Sequence, residues 1–187
     1  MFRIGFFISA ILPDTIETDQ TSEDRLVLVG TSMKIEKVIN NNVVSALEDG
    51  REVVVMGKGI GFQLRAGMDI PEELIEKVFR LDNPGVMDQF KNLIQKLPPE
   101  RLQISAEVIQ YAKGVMNKKL NHNIYLTLTD HINFAIERYQ KKMLFGNPLL
   151  REVRTFYREE YLIGTFALDL IERRLGIAFP ADEAASI

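Results

Sequence analysis

The chain of 187 residues contains no cysteine, no tryptophan and only two histidines. Without cysteine it cannot form disulfides or thiolate metal sites, and two histidines leave little material for a histidine-rich metal cluster. Lys and Arg number 23 against 26 Asp and Glu, and the resulting net charge of −3 argues against general affinity for polyanions. No hydrophobic run is long enough to span a membrane. The length and the hydrophobic content of 46%, which is ordinary for globular proteins, indicate a globular chain of one or two domains.

A β-hairpin is predicted near the middle of the first half. Val43 to Leu47 and Glu52 to Met56 are short runs rich in β-branched residues, and Asp49-Gly50 between them supplies the positive φ angles of a tight turn. Met33 to Ile39 also has strand composition. Val53-Val54-Val55 is apolar on both faces, which is typical of a strand covered on both sides. Because a domain of roughly 50 residues buries too little surface to cover both faces itself, we expect dimerisation.

Two stretches between these strands have the chemistry of a nucleic-acid contact. Asn40-Asn41-Asn42 offers amide groups that can read base edges, and in Gly57 to Gln63 the side chain of Lys58 can meet phosphate while Phe62 can stack on an unpaired base. The alternative, that both stretches are ordinary turns, stays open on residue chemistry alone. From Met33 to Met68 there are five basic and four acidic residues, so no broad basic footprint supports RNA binding.

Helices are predicted after Asp82-Asn83-Pro84-Gly85, a chain breaker and candidate linker. From there the apolar spacing becomes 3.6 residues, as in amphipathic helices, and short loops between such helices favour a compact bundle. The predicted helices cover Val86 to Leu97, Val108 to Leu120 with Ser105 as N-cap, about Thr129 to Met143, and about Glu160 to Leu175.

The first half carries a resemblance to a known family. The run Met33-Lys-Ile-Glu-Lys-Val-Ile-Asn-Asn-Asn-Val43, followed by Val54-Val-Met-Gly-Lys-Gly-Ile-Gly-Phe-Gln63, resembles the RNA-binding domain of the BglG/LicT family of bacterial transcriptional antiterminators. The resemblance implies an α+β multidomain fold, with a small dimeric antiparallel sheet followed by an all-α bundle, and a fourth strand over Ile75 to Leu81. It further implies that an RNA hairpin is bound by Lys37, Asn40, Asn42, Gly57, Lys58, Gly59, Phe62 and Gln63.

Two of these residues raise particular expectations. Lys58 stands where the family often has Arg, so it keeps a phosphate contact without the bidentate geometry of a guanidinium. Because turn residues that face solvent contribute little to a core, we expect Asn42→Ala to leave the melting temperature unchanged.

The second half resembles the regulatory domain of the same family, the phosphotransferase-system regulation domain. The resemblance lies in Tyr125-Leu-Thr-Leu-Thr-Asp-His-Ile-Asn-Phe-Ala-Ile-Glu-Arg-Tyr139 and in Gly176 to Ile187. It implies that His131 accepts phosphate from a sugar-specific enzyme II, with HPr as a further candidate donor.

Residue chemistry gives His131 separate support. It lies near the predicted N-terminus of a helix, where Thr129 or Asp130 caps the helix and the dipole favours an added phosphate. The alternative is a capped, half-buried histidine without that role. His122 lies outside the motif and is predicted to be a surface residue.

The resemblance predicts three segments. Residues 1–32 form a poorly ordered extension outside the family, with Met33 as the expected initiator; residues 33–84 form the RNA-binding domain and linker, and residues 85–187 a truncated first copy of the regulatory domain, of which family members have two. The first twelve residues faintly imitate a signal peptide, but the acidic stretch that follows argues against secretion.

The function implied is antitermination in a sugar-utilisation operon, with β-glucosides as the expected sugars, by a cytoplasmic homodimer that is not inserted in a membrane. It requires no catalytic residue, metal ion or cofactor. One alternative is a histidine phosphotransfer protein, in which His131 passes phosphate on and the sheet only dimerises. An unrecognised enzyme has little support, because the sequence contains no carboxylate pair with the spacing of a metal or glycosidase site and no nucleophile elbow.

Overall fold

The computed structural model describes residues 32–81, 83–116, 120–143 and 146–187. The predicted extension, 1–32, lies outside this part of the chain except for its last residue. The described residues form two compact units, one that ends at Lys96 and one that begins at Leu97. A four-stranded antiparallel sheet precedes a set of helices, which confirms the predicted α+β class.

The sheet follows the chain order β1-β2-β3-β4, and all neighbouring strands are antiparallel. Glu48 pairs with Arg51, and this register leaves Asp49 and Gly50 as a two-residue turn with φ angles of 49° and 78°. Both angles are positive, as a tight hairpin requires, so the hairpin prediction is confirmed. The strands are β1 Lys34–Asn40, β2 Val43–Glu48, β3 Arg51–Met56 and β4 Lys77–Phe79; the short helix α1 covers Ile60–Gln63 and a 3-10 turn covers Glu72–Leu74.

One face of the sheet is covered by the segments that connect β3 to β4. Ile60 of α1 is fully buried there, and Ile70 is 8% exposed. They close a continuous apolar core that consists of Met33, Ile35, Val44, Ala46, Val53, Val55, Ile60 and Ile70.

The other face of the sheet is covered by helix α2, Pro84–Lys96. The side-chain oxygen of Asn83 accepts the N–H of Gly85 at 2.8 Å and Pro84 occupies the first helical position, so the chain breaker starts a helix. Within the unit, the rings of Phe79 and Phe90 lie 5.3 Å apart. Val54, which pairs with Phe79, is fully buried.

Helix α2 changes two interpretations of the sequence. Its apolar stripe was assigned to the helical bundle, but the stripe packs on the sheet. Dimerisation was inferred because a small sheet cannot cover both faces, yet α2 covers the second face within a single chain. The domain limits 33–84 and 85–187 stay a prediction.

The second unit consists of helices packed around α3. Helix α3 contacts both α4 and α6, and the rings of Tyr111 and Phe166 stack with centroids 4.0 Å apart. Gly164 of α6 lies so close to the final turn that an added Cβ would be 2.0 Å from the carbonyl oxygen of Ala184. The elements are α3 Pro99–Met116, α4 Ile124–Gln140, α5 Leu150–Phe156, α6 Arg158–Leu175 and a 3-10 turn Ala181–Ala185.

Two predicted helix starts are wrong. Helix α3 begins at Pro99, so Ser105 is not an N-cap; its buried hydroxyl donates to the carbonyl of Arg101 at 2.9 Å. Helix α4 begins at Ile124, five residues before the predicted Thr129, because Ile124, Tyr125 and Leu128 continue the buried stripe. In the described part of the chain, no helix is long and apolar enough to cross a membrane.

The cover that α2 provides leads to a prediction about self-association. A fragment of residues 33–83 lacks the helix and exposes the apolar face around Val54 and Phe79, whereas a fragment of residues 33–96 keeps it covered. We therefore expect the shorter fragment to dimerise at a lower concentration than the longer one in sedimentation equilibrium. Equal association constants for the two fragments would contradict this assignment of the sheet face.

Candidate RNA-binding surface

The two stretches singled out by the sequence form one surface. The backbone N–H of Gly57 donates to the carbonyl of Asn42 at 2.9 Å, and that of Gly61 donates to the carbonyl of Asn41 at 3.0 Å. These bonds fasten the glycine-rich loop onto the turn between β1 and β2. The asparagines and Lys58 to Gln63 are thereby held on one side of the sheet unit.

Asn42 adds a side-chain bond to this junction. Its Oδ1 accepts the N–H of Gly59 at 2.8 Å, and Gly59 has a φ of 69°, which glycine adopts without strain. Among the described residues, the Nδ2 group of Asn42 has no hydrogen-bond partner. The side chain therefore organises the loop with its oxygen and keeps two N–H donors for a ligand.

The glycines are required by the protein's own backbone. A Cβ at Gly61 would lie 2.0 Å from the carbonyl oxygen of Asn40, and one at Gly57 would lie 1.8 Å from that of Leu74. These close contacts are made by neighbouring segments of the same chain, and direct RNA contacts by Gly57 and Gly59 stay a prediction.

Buried and exposed side chains alternate along this surface. Ile60 is fully buried and pins α1 to the core, whereas Phe62, two residues later, is 73% exposed. An exposed phenyl ring on a short, anchored helix is positioned to stack on a base. Lys37, Lys58 and Gln63 are also exposed, while Asn40 and Asn42 are half-buried.

Asn40 differs from the other predicted contacts, because both polar atoms of its side chain have partners inside the unit. Oδ1 accepts the N–H of Asn42 at 2.9 Å, and Nδ2 donates to the carbonyl of Ile94 at 3.3 Å. The second partner belongs to the last turn of α2, so Asn40 lies at the junction of the turn and the helix.

Sequence reasoning missed Arg65. Its Nη1 donates to the carbonyls of Phe62 and Leu64, both at 3.0 Å, and thereby closes the C-terminal end of α1. The only sequence signal for this role is a basic residue just after a helix, where cations commonly bind the last carbonyls.

His131 lies in the middle of α4, seven residues after its first residue, and is half-buried. The prediction that it lies near a helix N-terminus is therefore wrong, and neither Thr129 nor Asp130 caps the helix. The dipole argument for a phosphate is lost with it. Phosphorylation of His131 stays a prediction that depends on the family motif.

An ion pair secures the end of the chain near α4. Arg138 binds the carboxylate of Glu183, which is 3% exposed, and its guanidinium lies 5.3 Å from the ring centre of Phe134. Burial raises the pKa of Glu183. The positive charge and the hydrogen bond of Arg138 lower this pKa, but the effect of burial is larger. His122, predicted to be a surface residue, is half-buried, and its Nδ1 atom is shielded from solvent.

Metal binding has no structural support in the described ranges, where no group of three or more His, Cys, Asp or Glu side chains could hold an ion.

Both units match known domain families. The model of the CAT RNA binding domain matches residues 33–87, and the model of the PRD domain matches residues 106–187. The chain thus joins an RNA-binding domain to a regulatory domain.

Individual relatives match both domains together. The transcription antiterminator LicT of Bacillus subtilis (strain 168) is 50% identical over 156 residues, which are 83% of this chain and 56% of the relative. The beta-glucoside operon antiterminator of Dickeya chrysanthemi is 40% identical over 156 residues, 83% of this chain and 55% of the relative. A crystal structure of GlcT CAT-PRDI superposes with a TM-score of 0.73 at 36% identity and covers 83% of this chain and 93% of that one.

The chain belongs to the BglG/LicT family of transcriptional antiterminators. It spans about half the length of the curated relatives it matches, 56% and 55% of the two named above.

The bond between Asn42 and Gly59 changes the expectation for alanine at position 42. Asn42→Ala removes the acceptor of a half-buried N–H and should destabilise the sheet unit by about 1 kcal/mol, seen as a lower melting temperature. Asn42→Asp keeps the acceptor and should melt close to the parent. Asn41→Ala is the matched control, because the Asn41 side chain is exposed and has no hydrogen bond to any described residue. Equal melting temperatures of the two alanine variants would show that the bond contributes nothing.

Proposed function

We propose that the chain is an antiterminator that binds an RNA hairpin in the leader of a nascent sugar-operon messenger RNA. The observation that carries the proposal is the joined surface of the asparagine turn and the glycine loop. It presents the Nδ2 group of Asn42, which has no partner within the described part of the chain, together with the exposed ring of Phe62 and the charge of Lys58 on a fixed scaffold.

Each of these side chains has a distinct role in the proposed complex. Phe62 stacks on a base of a loop or bulge, which is where the base edges of RNA become accessible. Asn42 donates to the edge of a base, and Lys58 contacts phosphate. The net charge of −3 fits a small number of specific contacts better than a broad electrostatic surface.

The proposed consequence is antitermination without catalysis. A hairpin held by the protein cannot pair into an overlapping terminator hairpin, so transcription continues into genes for sugar use, β-glucosides being the proposed sugars. Two copies of the chain grip one hairpin in the cytoplasm. The helical unit adjusts this activity through phosphate that a sugar-specific enzyme II, or HPr, transfers to His131.

The roles of Phe62 and Lys58 can be separated by titrating labelled leader RNA from the adjacent operon with the full chain. Phe62→Ala should cost about 1 to 3 kcal/mol against the leader hairpin and little against a scrambled hairpin. Lys58→Ala should weaken both RNAs and reduce the dependence of binding on salt, because fewer counterions are released.

Matched controls lie in the helical unit. Phe156 is 77% exposed, like Phe62, and Lys141 is exposed, like Lys58. Phe156→Ala and Lys141→Ala should leave the affinity unchanged. If Phe156→Ala weakens binding as much as Phe62→Ala, the proposed surface is wrong.

Phosphate transfer can be tested on the two histidines of the chain. Incubation with phosphoenolpyruvate, the general phosphotransferase proteins and a sugar-specific enzyme II should give an acid-labile label, because phosphohistidine hydrolyses in acid. His131→Gln should abolish the label, and His122→Gln, the matched control, should retain it. Similar labelling of both variants would refute the assignment of His131.

A further inference from the structure

Helix α2 holds Asn40, one of the residues that the family resemblance assigns to RNA binding. The Nδ2 group of Asn40 donates to the carbonyl of Ile94 at 3.3 Å, while Oδ1 accepts the N–H of Asn42 at 2.9 Å. Ile94 lies in the last turn of α2, whose carbonyls have no partner within the helix. Asn40 thus caps the C-terminal end of α2.

This cap conflicts with base reading by the same side chain. An asparagine that reads adenine uses its oxygen and one N–H together, on one edge of the amide. Here the Oδ1 and Nδ2 atoms of Asn40 both form hydrogen bonds within the protein. Asn42, by contrast, keeps its Nδ2 group for a ligand whether or not α2 is in place.

We propose that α2 is an inhibitory element of the RNA-binding surface: packed on the sheet it withholds the Nδ2 group of Asn40 from RNA, and its release frees that group to bind. Oδ1 keeps its bond to the N–H of Asn42 in either state and has a second lone pair for RNA. The inference deepens the proposed function and depends on it. It assigns the control of RNA binding to a helix within the sheet unit itself.

The contacts of α2 make its release feasible. The helix is fastened to the sheet by the buried side chains of Met87, Phe90 and Ile94, by the bond from Asn40 and by Lys91, which binds Glu52 of β3 at 2.6 Å. Lys91 also binds Asp88 within α2 at 2.8 Å. Burial alone would lower the pKa of Lys91, but the bonds to both carboxylates outweigh it and raise the pKa. The pair remains partly exposed, at 24% and 30%, and exposed pairs add little stability.

The position of α2 in the chain suits this role. It ends at Lys96, and the helical unit begins at the next residue, Leu97. A rearrangement of the helical unit therefore acts on the end of α2 through the covalent chain. If only a fraction of molecules has α2 released, the apparent affinity for RNA falls by that fraction.

The test uses the full chain and a reversible link between α2 and the sheet. Because the chain has no cysteine, Glu52→Cys with Lys91→Cys introduces two unique thiols at neighbouring, partly exposed positions. A bismaleimide linker with an internal disulfide joins them, and a reductant cuts the linker. The probe is the labelled leader RNA of the adjacent operon.

With the linker intact, binding should weaken by about tenfold or more, and reduction should restore it, because the linked helix cannot leave Asn40. Each single-cysteine variant carries the same reagent as a control and should bind RNA equally before and after reduction. Undiminished binding by the linked protein would overturn the inference while the proposed function stands. Absence of binding by the unlinked protein would overturn both.

A second variant tests the same point by a gain of affinity. Lys91→Glu places a third carboxylate beside Glu52 and Asp88 and should loosen α2, so the full chain should bind the leader RNA severalfold more tightly despite the added negative charge. Lys141→Glu makes the same charge change in the helical unit and should not tighten binding. Unchanged or weaker binding by Lys91→Glu would count against the inference.

Discussion

The attachment of the glycine-rich loop to the turn between β1 and β2 is the constraint on which the proposed function depends. Three N–H groups, those of Gly57, Gly59 and Gly61, donate to the backbone or side chain of Asn41 and Asn42. A Cβ at Gly61 would collide with the carbonyl oxygen of Asn40, next to the turn. The loop can therefore approach the turn only with glycine at this position, and this approach places Asn42, Lys58 and Phe62 on one surface.

A second constraint concerns the two faces of the sheet. The connecting loops cover one face and α2 covers the other, so Val54 and Phe79 are fully buried within a single chain. The same helix carries the carbonyl that binds Asn40. Burial of the sheet and availability of the Asn40 amide are thus linked in one element, and the proposed inhibitory role of α2 rests on that link.

Several features of the fold could be predicted because they depend on local sequence. Asp49-Gly50 predicts the hairpin through the φ angles of its turn, and Gly176, with a φ of 66°, ends α6 next to its predicted last residue. The partner of α2 could not be predicted in this way, because an apolar stripe shows that a helix buries one side without showing against what. The start of α4 was missed for a related reason: Ile124 to Leu128 has strand-like composition that tertiary packing overrides.

The candidate site likewise could be predicted from the sequence only in part. Its residue types were visible in the sequence, and the family resemblance named them, but their internal hydrogen bonds were not visible. The bonds of Asn40 to α2 and of Asn42 to Gly59 join residues far apart in sequence, and the capping role of Arg65 depends on where α1 ends. These contacts distinguish the two asparagines. Asn42 uses only its side-chain oxygen within the protein, whereas Asn40 uses both its oxygen and its Nδ2 group.

Binding of RNA to this joined surface can be tested by photo-crosslinking the full chain to leader RNA that contains 4-thiouridine, followed by mass spectrometry of the attached peptides. We expect the crosslinks to fall within residues 40–42 and 57–63. Crosslinks confined to the helical unit after Leu97 would contradict it.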